Sequence, residues 1–222
     1  MADVVFYPGH MSRSKRHQGQ PMQQRAIQTR HAILAAARTE FSLKGFHGAR
    51  VDTIAAEAGV NKQRLYANFK NKAGLFAAVL KAVFTDLARE ENELLKLSMR
   101  DIPRLTKLIL DCYVSLHTRH PEFWRLLAWE NLEGGQHSAG LAGLKDPVLT
   151  HLRRLYERGQ KSGHFLKNVP FEGFIFNLLA VSYFMVSNRL TLKQSTGLDC
   201  SRPEVRKILC EAVVRQLRKD YK

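Results

Sequence analysis

From Arg25 to Lys44, apolar residues recur at helical spacing. Ile27, Leu34 and Phe41 stand seven apart, with Ala26, Ile33 and Ala37 beside them. No Gly or Pro interrupts the stretch, and Gly45 follows where a glycine commonly closes a helix. A second apolar set, Ile54, Ala55 and Ala58, predicts a short helix over 52–58, ended by Gly59. After Val60, Asn61 is a strong N-cap for a helix over 62–69, whose inner face is marked by Leu65 and Phe69, four apart. Asn71 caps a fourth helix, from Lys72 to about Ser98, with Leu75, Phe76, Val79, Leu80 and Val83 as its stripe.

The remainder also reads as helices. Pro103 suits the first turn of one over about 102–117, and Pro121 opens another, over 122–132, carrying Phe123, Trp124 and Trp129. Residues 134–143 form a Gly-rich connection expected to be mobile. It has neither the GxxxxGK[ST] spacing nor the preceding strand of a phosphate loop. Asp146-Pro147 caps and starts a helix to about Lys161, Pro170 one to about Leu192, and Pro203 the last, to about Arg218. Residues 171–190 are apolar nearly all round, which requires burial or an interface. The last helix repeats apolar residues at Val205, Ile208, Leu209, Ala212, Val213 and Leu217. Two such helices, about 171–192 and 203–218, suit a homodimer built as a four-helix bundle, with burial inside one chain as the alternative. The pattern as a whole predicts an all-α fold.

Charge narrows the possible partners. The 222 residues carry 35 Lys+Arg against 20 Asp+Glu, a formal +15, which points to a polyanion: nucleic acid or an anionic membrane surface. Residues 1–72 hold 12 basic and 4 acidic side chains, a net of +8. Residues 73–222 hold 23 and 16, a net of +7. The first third therefore has about twice the charge density of the rest. Apolar residues make up 45%, enough for a core. The longest near-apolar run, 174–186, is too short to span a bilayer, which needs about 20 apolar residues, and no secretory signal is visible. Cys112, Cys200 and Cys210 form no CxxC pair, so no disulfide framework or structural zinc is expected, and a cytoplasmic setting fits. Residues 1–24 read as a flexible basic arm, with Arg13, Lys15, Arg16 and His17 able to track phosphates.

Two short helices meeting at Ala58-Gly59-Val60-Asn61 make a helix-turn-helix pattern. Its second helix offers Lys62, Gln63, Arg64, Tyr66 and Asn68, with Lys72 just beyond. Gln and Arg at a helix start can bond purine edges bidentately in the major groove, while Lys, Tyr and Asn can hold phosphates.

Gly45-Phe46-His47-Gly48 through Ile54-Ala55, Ala58-Gly59-Val60-Asn61, Leu65-Tyr66-Ala67-Asn68-Phe69 and Lys72-Ala73-Gly74-Leu75-Phe76 resemble the DNA-binding signature of the tetracycline-repressor (TetR) family. The resemblance covers about Arg25 to Leu80. It implies an N-terminal three-helix DNA-binding domain over 25–72 and a helical effector-binding and dimerisation domain over 73–222. It also implies an all-α homodimer that represses transcription at a near-palindromic duplex operator and lets go when a small molecule binds. Lys62, Gln63 and Arg64 fall where the family reads bases; Tyr66, Asn68 and Lys72 fall where it grips phosphate. The family often places Thr or Ser where this chain has Ala49 and Arg50, so the cap of the second helix lacks its hydroxyl and Arg50 is left to reach phosphate by charge.

A pocket among the middle helices draws on aromatic bodies with polar tips: Tyr113, His117, Trp124, Trp129, Asn177 and Tyr183. They suggest an apolar or aromatic effector of unknown identity. No cofactor or metal is expected. Of the rival readings, an enzyme lacks its motifs, with no HExxH, GxSxG or strand-associated GxGxxG. His117 and His120 share a face but lack further ligands. A membrane-surface protein would need a broad apolar face that residues 62–72 do not have.

Overall fold

The structure, a computed structural model, describes residues 22–218. The proposed arm over 1–24 lies outside the described residues except for its last three. Among the described residues the fold is all-α, with no strand. The first four helices are α1 (Met22–Gly48), α2 (Val51–Glu57), α3 (Lys62–Phe69) and α4 (Lys72–Glu91). Then come α5 (Leu105–Arg119), α6 (Pro121–Leu132), α7 (Asp146–Lys161), α8 (Phe171–Ser187), α9 (Arg189–Thr196) and α10 (Pro203–Leu217). One apolar core runs through them, from Ile33 in α1 to Leu217 in α10.

Gly45 breaks α1 as its position in the sequence predicts. It stands at φ +69°, and the Trp129 ring of α6 lies 2.6 Å from where a Cβ would sit. Glycine is required there on both counts. The chain then turns through Phe46, which with Phe41 and Phe76 forms an aromatic cluster under α1 and α4.

Three boundaries differ from the periodicity. The fourth helix does not reach Ser98. Its α part ends at Glu91, and the chain tightens into a 3₁₀ turn over Asn92–Lys96 that buries Leu94. Ser98 and Asp101 then form a capping box that starts a second 3₁₀ turn containing Pro103, so α5 begins at Leu105.

The long apolar helix to Leu192 is two helices. α8 stops at Ser187, and α9 leaves at 78°. Ser187 Oγ donates to the Tyr183 carbonyl, and Asn188 Nδ2 donates to Ser187 Oγ. These short polar side chains offer the backbone bonds outside the helix ladder, just where the apolar run ends.

The Gly-rich connection is anchored rather than loose. The His137 ring sits 4.9 Å from Phe46 and 5.1 Å from Phe76, and buried Glu130 accepts from both its backbone N–H and its ring. Among the described residues no single helix is long and apolar enough to cross a membrane.

Candidate nucleic-acid interface

The turn joining α2 to α3 is a Schellman motif. The Gly59 N–H donates to the Ala56 carbonyl at 3.0 Å, and the Val60 N–H to the Ala55 carbonyl at 2.9 Å. Gly59 stands at φ +65° with open space around its Cβ position, so only the backbone angle demands glycine. Asn61 caps α3, its side-chain oxygen accepting from the Arg64 N–H at 2.8 Å. Leu65 and Phe69 are buried and pin the helix to the core.

That anchoring leaves Lys62, Gln63 and Arg64 exposed on the first turn of α3. Lys62 Nζ lies 3.1 Å from Asp52 Oδ1, and Arg64 donates to Thr29 Oγ1 at 3.3 Å. Both contacts are exposed, and such pairs contribute about 1 kcal/mol or less, so neither holds its side chain firmly.

The other candidates divide. Arg50 is exposed at the N-cap of α2, where no side chain caps the helix. Glu40 of α1 holds the cap residue itself, its Oε1 accepting the Arg50 N–H at 3.1 Å, a different bond from the one a cap hydroxyl would make to the first turn. Burial opposes ionisation of Glu40, but the Arg50 N–H and the Lys44 ammonium 3.0 Å away hold its carboxyl below the usual range. Tyr66 is half-buried. Asn68 Nδ2 donates back to the Arg64 carbonyl, which occupies the side chain in the free protein. Lys72 is occupied too: it donates to the His47 carbonyl at 3.2 Å and lies over the Phe46 ring. Burial lowers its pKa, with Glu40 opposing.

Sequence reasoning missed Glu40, Thr29 and Arg30. Arg30 donates to the Asn68 carbonyl at 3.2 Å and stacks on Phe69, so α1 adds a cation beside α3. Only the basic character of this stretch hinted at it.

The six effector candidates also separate. Tyr113 and His117 are buried together on α5. The imidazole stacks on Phe123 at 5.7 Å and on Tyr113 at 6.4 Å, and Tyr183 meets it edge-on at 6.0 Å. Beside them Lys145 pairs with buried Glu91 at 2.6 Å, its ammonium 5.3 Å from the Tyr113 ring centre. Tyr113 Oη, His117 Nδ1 and Glu91 Oε2 have no hydrogen-bond partner among the described residues. Leaving one such group unmet costs about 1–3 kcal/mol, so the cluster has unused capacity to hold a polar ligand.

Burial drives the His117 pKa down to about 4, against a hydrogen bond to the Ser182 carbonyl, and Lys145 lowers it further. The ring is therefore neutral near pH 7. Burial and the Glu91 charge push the Tyr113 phenol upward, so it keeps its proton.

Trp124 and Trp129 stand apart, around a surface hollow of 410 Å³ with Ser42, Leu43 and Leu132. Asn177 is exposed and donates to the Gly173 carbonyl of its own helix. Glu91, Lys145 and Phe123 had no signal in the sequence beyond helical spacing. The His117 and His120 rings also part company: His120 pairs with Glu90 at 2.7 Å, outside the cluster.

On α8 and α10, Phe176, Phe184 and Ile208 are each more than half exposed. Phe184, Leu192, Leu209 and Val213 help line an apolar groove of 600 Å³ between α8, α9 and α10.

Residues 33–79 match the family model described as bacterial regulatory proteins, tetR family, and residues 104–215 match the tetracyclin repressor-like C-terminal domain. The chain is 34% identical over 183 residues to the HTH-type transcriptional repressor NicS of Pseudomonas putida, covering 79% of this chain and 84% of that protein. It is 34% identical over 158 residues to the HTH-type transcriptional repressor SCO4008 of Streptomyces coelicolor, covering 71% and 78%. The crystal structure of SCO4942 from Streptomyces coelicolor superposes with a TM-score of 0.63 at 27% identity, covering 86% of this chain and 99% of that one. With a family model over half its length and relatives that align along most of theirs, the chain belongs to the TetR family of helix-turn-helix transcription regulators.

Proposed function

We propose that this chain is a cytoplasmic, dimeric, ligand-responsive repressor that binds a near-palindromic operator. The carrying observation is the first turn of α3. A helix capped by Asn61 and pinned by Leu65 and Phe69 turns Lys62, Gln63 and Arg64 outward, with Arg30 alongside and Arg50 exposed at the start of α2. That is a base-reading edge flanked by phosphate-holding cations. Two such edges, one per subunit, read half-sites about one helical turn or somewhat more apart.

The DNA-reading unit spans 25–72, and the unit over 73–222 binds the effector and dimerises through α8 and α10. The repressors NicS and SCO4008 support repression as the sign of regulation. The effector enters the cluster of Tyr113, His117 and Tyr183 and meets Tyr113 Oη and His117 Nδ1. It acts by binding the DNA-free arrangement more tightly than the DNA-bound one. α6 is suited to carry the signal: Phe123, near its start, touches His117, while Trp129, near its end, covers Gly45 at the base of the DNA-reading helices.

Selection of bound duplexes from a random pool tests this reading. A two-fold-related motif is expected, and Gln63→Ala should cost about 1–3 kcal/mol of discrimination at one position of each half-site. An unselective pool, or an unchanged motif in the variant, would refute the assignment of base readers.

A further inference from the structure

Operator binding leaves the +7 surplus of residues 73–222 without a role, and part of that surplus is gathered in one place. Between α5 and α10 runs a groove of 720 Å³, the size of a small-molecule site. Its floor includes Val114, Cys210 and Val214. Six cations and two carboxylates line it, a net of +4.

The cations are not all neutralised in place. Lys107 pairs with Asp111, Lys207 approaches Glu211 at 4.0 Å, and Arg119 pairs with Glu90 at 2.7 Å. Arg206 has no ion pair among the described residues. Cys210 shares the groove lining with Lys107 and Asp111 from α5 and with Arg206 and Glu211 from α10.

The groove is separate from both surfaces already described. On α10 it uses Arg206, Lys207, Cys210 and Val214, whereas the apolar groove beside α8 uses Leu209, Ala212 and Val213. At 3.6 residues per turn these sets lie on different sides of the helix, so a second copy seated on the apolar face leaves the charged groove open. Neither Tyr113 nor His117 lines it.

We propose that the α5–α10 groove is a second ligand site, taking a small amphiphilic anion whose acidic head lies against Arg206 and Lys107 and whose apolar body covers Val114, Cys210 and Val214. Charge complementarity selects the sign of the ligand. The concave apolar floor favours a molecule with a hydrocarbon body over a polyanion, which has no use for it.

Titration calorimetry with decanoate below its micellar range tests the assignment, with decylammonium and sulfate as probes of the tail and the charge taken separately. One decanoate per chain is expected, with both control ligands binding at least about tenfold more weakly. Arg206→Glu and Lys107→Glu sit on different helices, and each should weaken decanoate about tenfold while helicity is retained. Tyr113→Phe should leave decanoate affinity unchanged, and bound decanoate should slow alkylation of Cys210 by N-ethylmaleimide. The proposal is overturned if decanoate does not bind at millimolar concentration or if decylammonium binds as well. It is equally overturned if both charge reversals are without effect or if Tyr113→Phe abolishes binding. The last result would move the anion to the interior cluster without touching the operator reading.

Discussion

Two residues store conformational or electrostatic energy that can be measured. Lys70, between α3 and α4, has φ +62° and ψ −59°, the one positive φ outside glycine among the described residues. A non-glycine residue in such a conformation costs about 1–3 kcal/mol. Lys70→Gly is therefore expected to raise stability by about 1 kcal/mol in urea unfolding, and a loss would mean that the lysine side chain outweighs the strain. His117 gives a pH dependence. Its native pKa of about 4 lies below the unfolded value of about 6.5, so the unfolded chain takes up the proton first. The stability due to neutral His117 is complete above the unfolded value and is lost as pH falls from about 6.5 towards 4, by about 3 kcal/mol in all. His117→Leu should flatten that limb of the stability–pH curve; an unchanged slope would place its origin elsewhere. Short-range chemistry of this kind was only partly legible in the sequence. The Asn61 cap was, because N-cap chemistry is local. The Glu40–Arg50 contact was not, because it joins residues ten apart across a glycine break.

At the scale of elements, periodicity located the helices better than it located their ends. The recognition helix runs over Lys62–Phe69 as expected, since Asn61 and the Gly59 turn enforce its start. The fourth helix and α8 end early because tertiary contacts and polar side chains, rather than the apolar stripe, decide where the ladder stops. The 134–143 connection is ordered by Glu130 and by two phenylalanines from distant helices, which its own glycines could not reveal. The junction of α1 with α6 is the most exacting of these contacts. Gly45→Ala places a methyl 2.6 Å from the Trp129 ring and keeps φ at +69°. A loss of at least about 1–3 kcal/mol is expected, with a shift in the emission of Trp129, one of only two tryptophans. Wild-type stability and emission in the variant would show that α6 is not held against this turn.

At the scale of the molecule, the all-α plan was legible because every long segment carries a helical stripe and none alternates. The cluster around His117 was half legible: Tyr113, His117 and Tyr183 converge, but nothing in a single sequence reports that Glu91 and Lys145 close the same space from other helices. The apolar character of residues 171–190 was legible, but which side stays uncovered was not. The fold answers that by leaving Phe176, Phe184 and Ile208 exposed on α8 and α10. Two-fold symmetry makes each residue on such a face count twice, once in each subunit. Burying a large apolar side chain contributes about 1.5–3 kcal/mol, so charging one position weakens a symmetric dimer by at least about 3–6 kcal/mol, or some two to four orders of magnitude in dissociation constant. Phe184→Glu is therefore expected to yield a folded monomer in sedimentation at micromolar concentration, with helicity kept because the side chain is already half outside the core. Operator affinity should fall with it, since a single recognition helix reads one half-site and keeps only part of the phosphate contacts. A variant that stayed dimeric, or a wild type that was monomeric without DNA, would remove α8 and α10 from the assembly and require the two recognition helices to be spaced by some other surface.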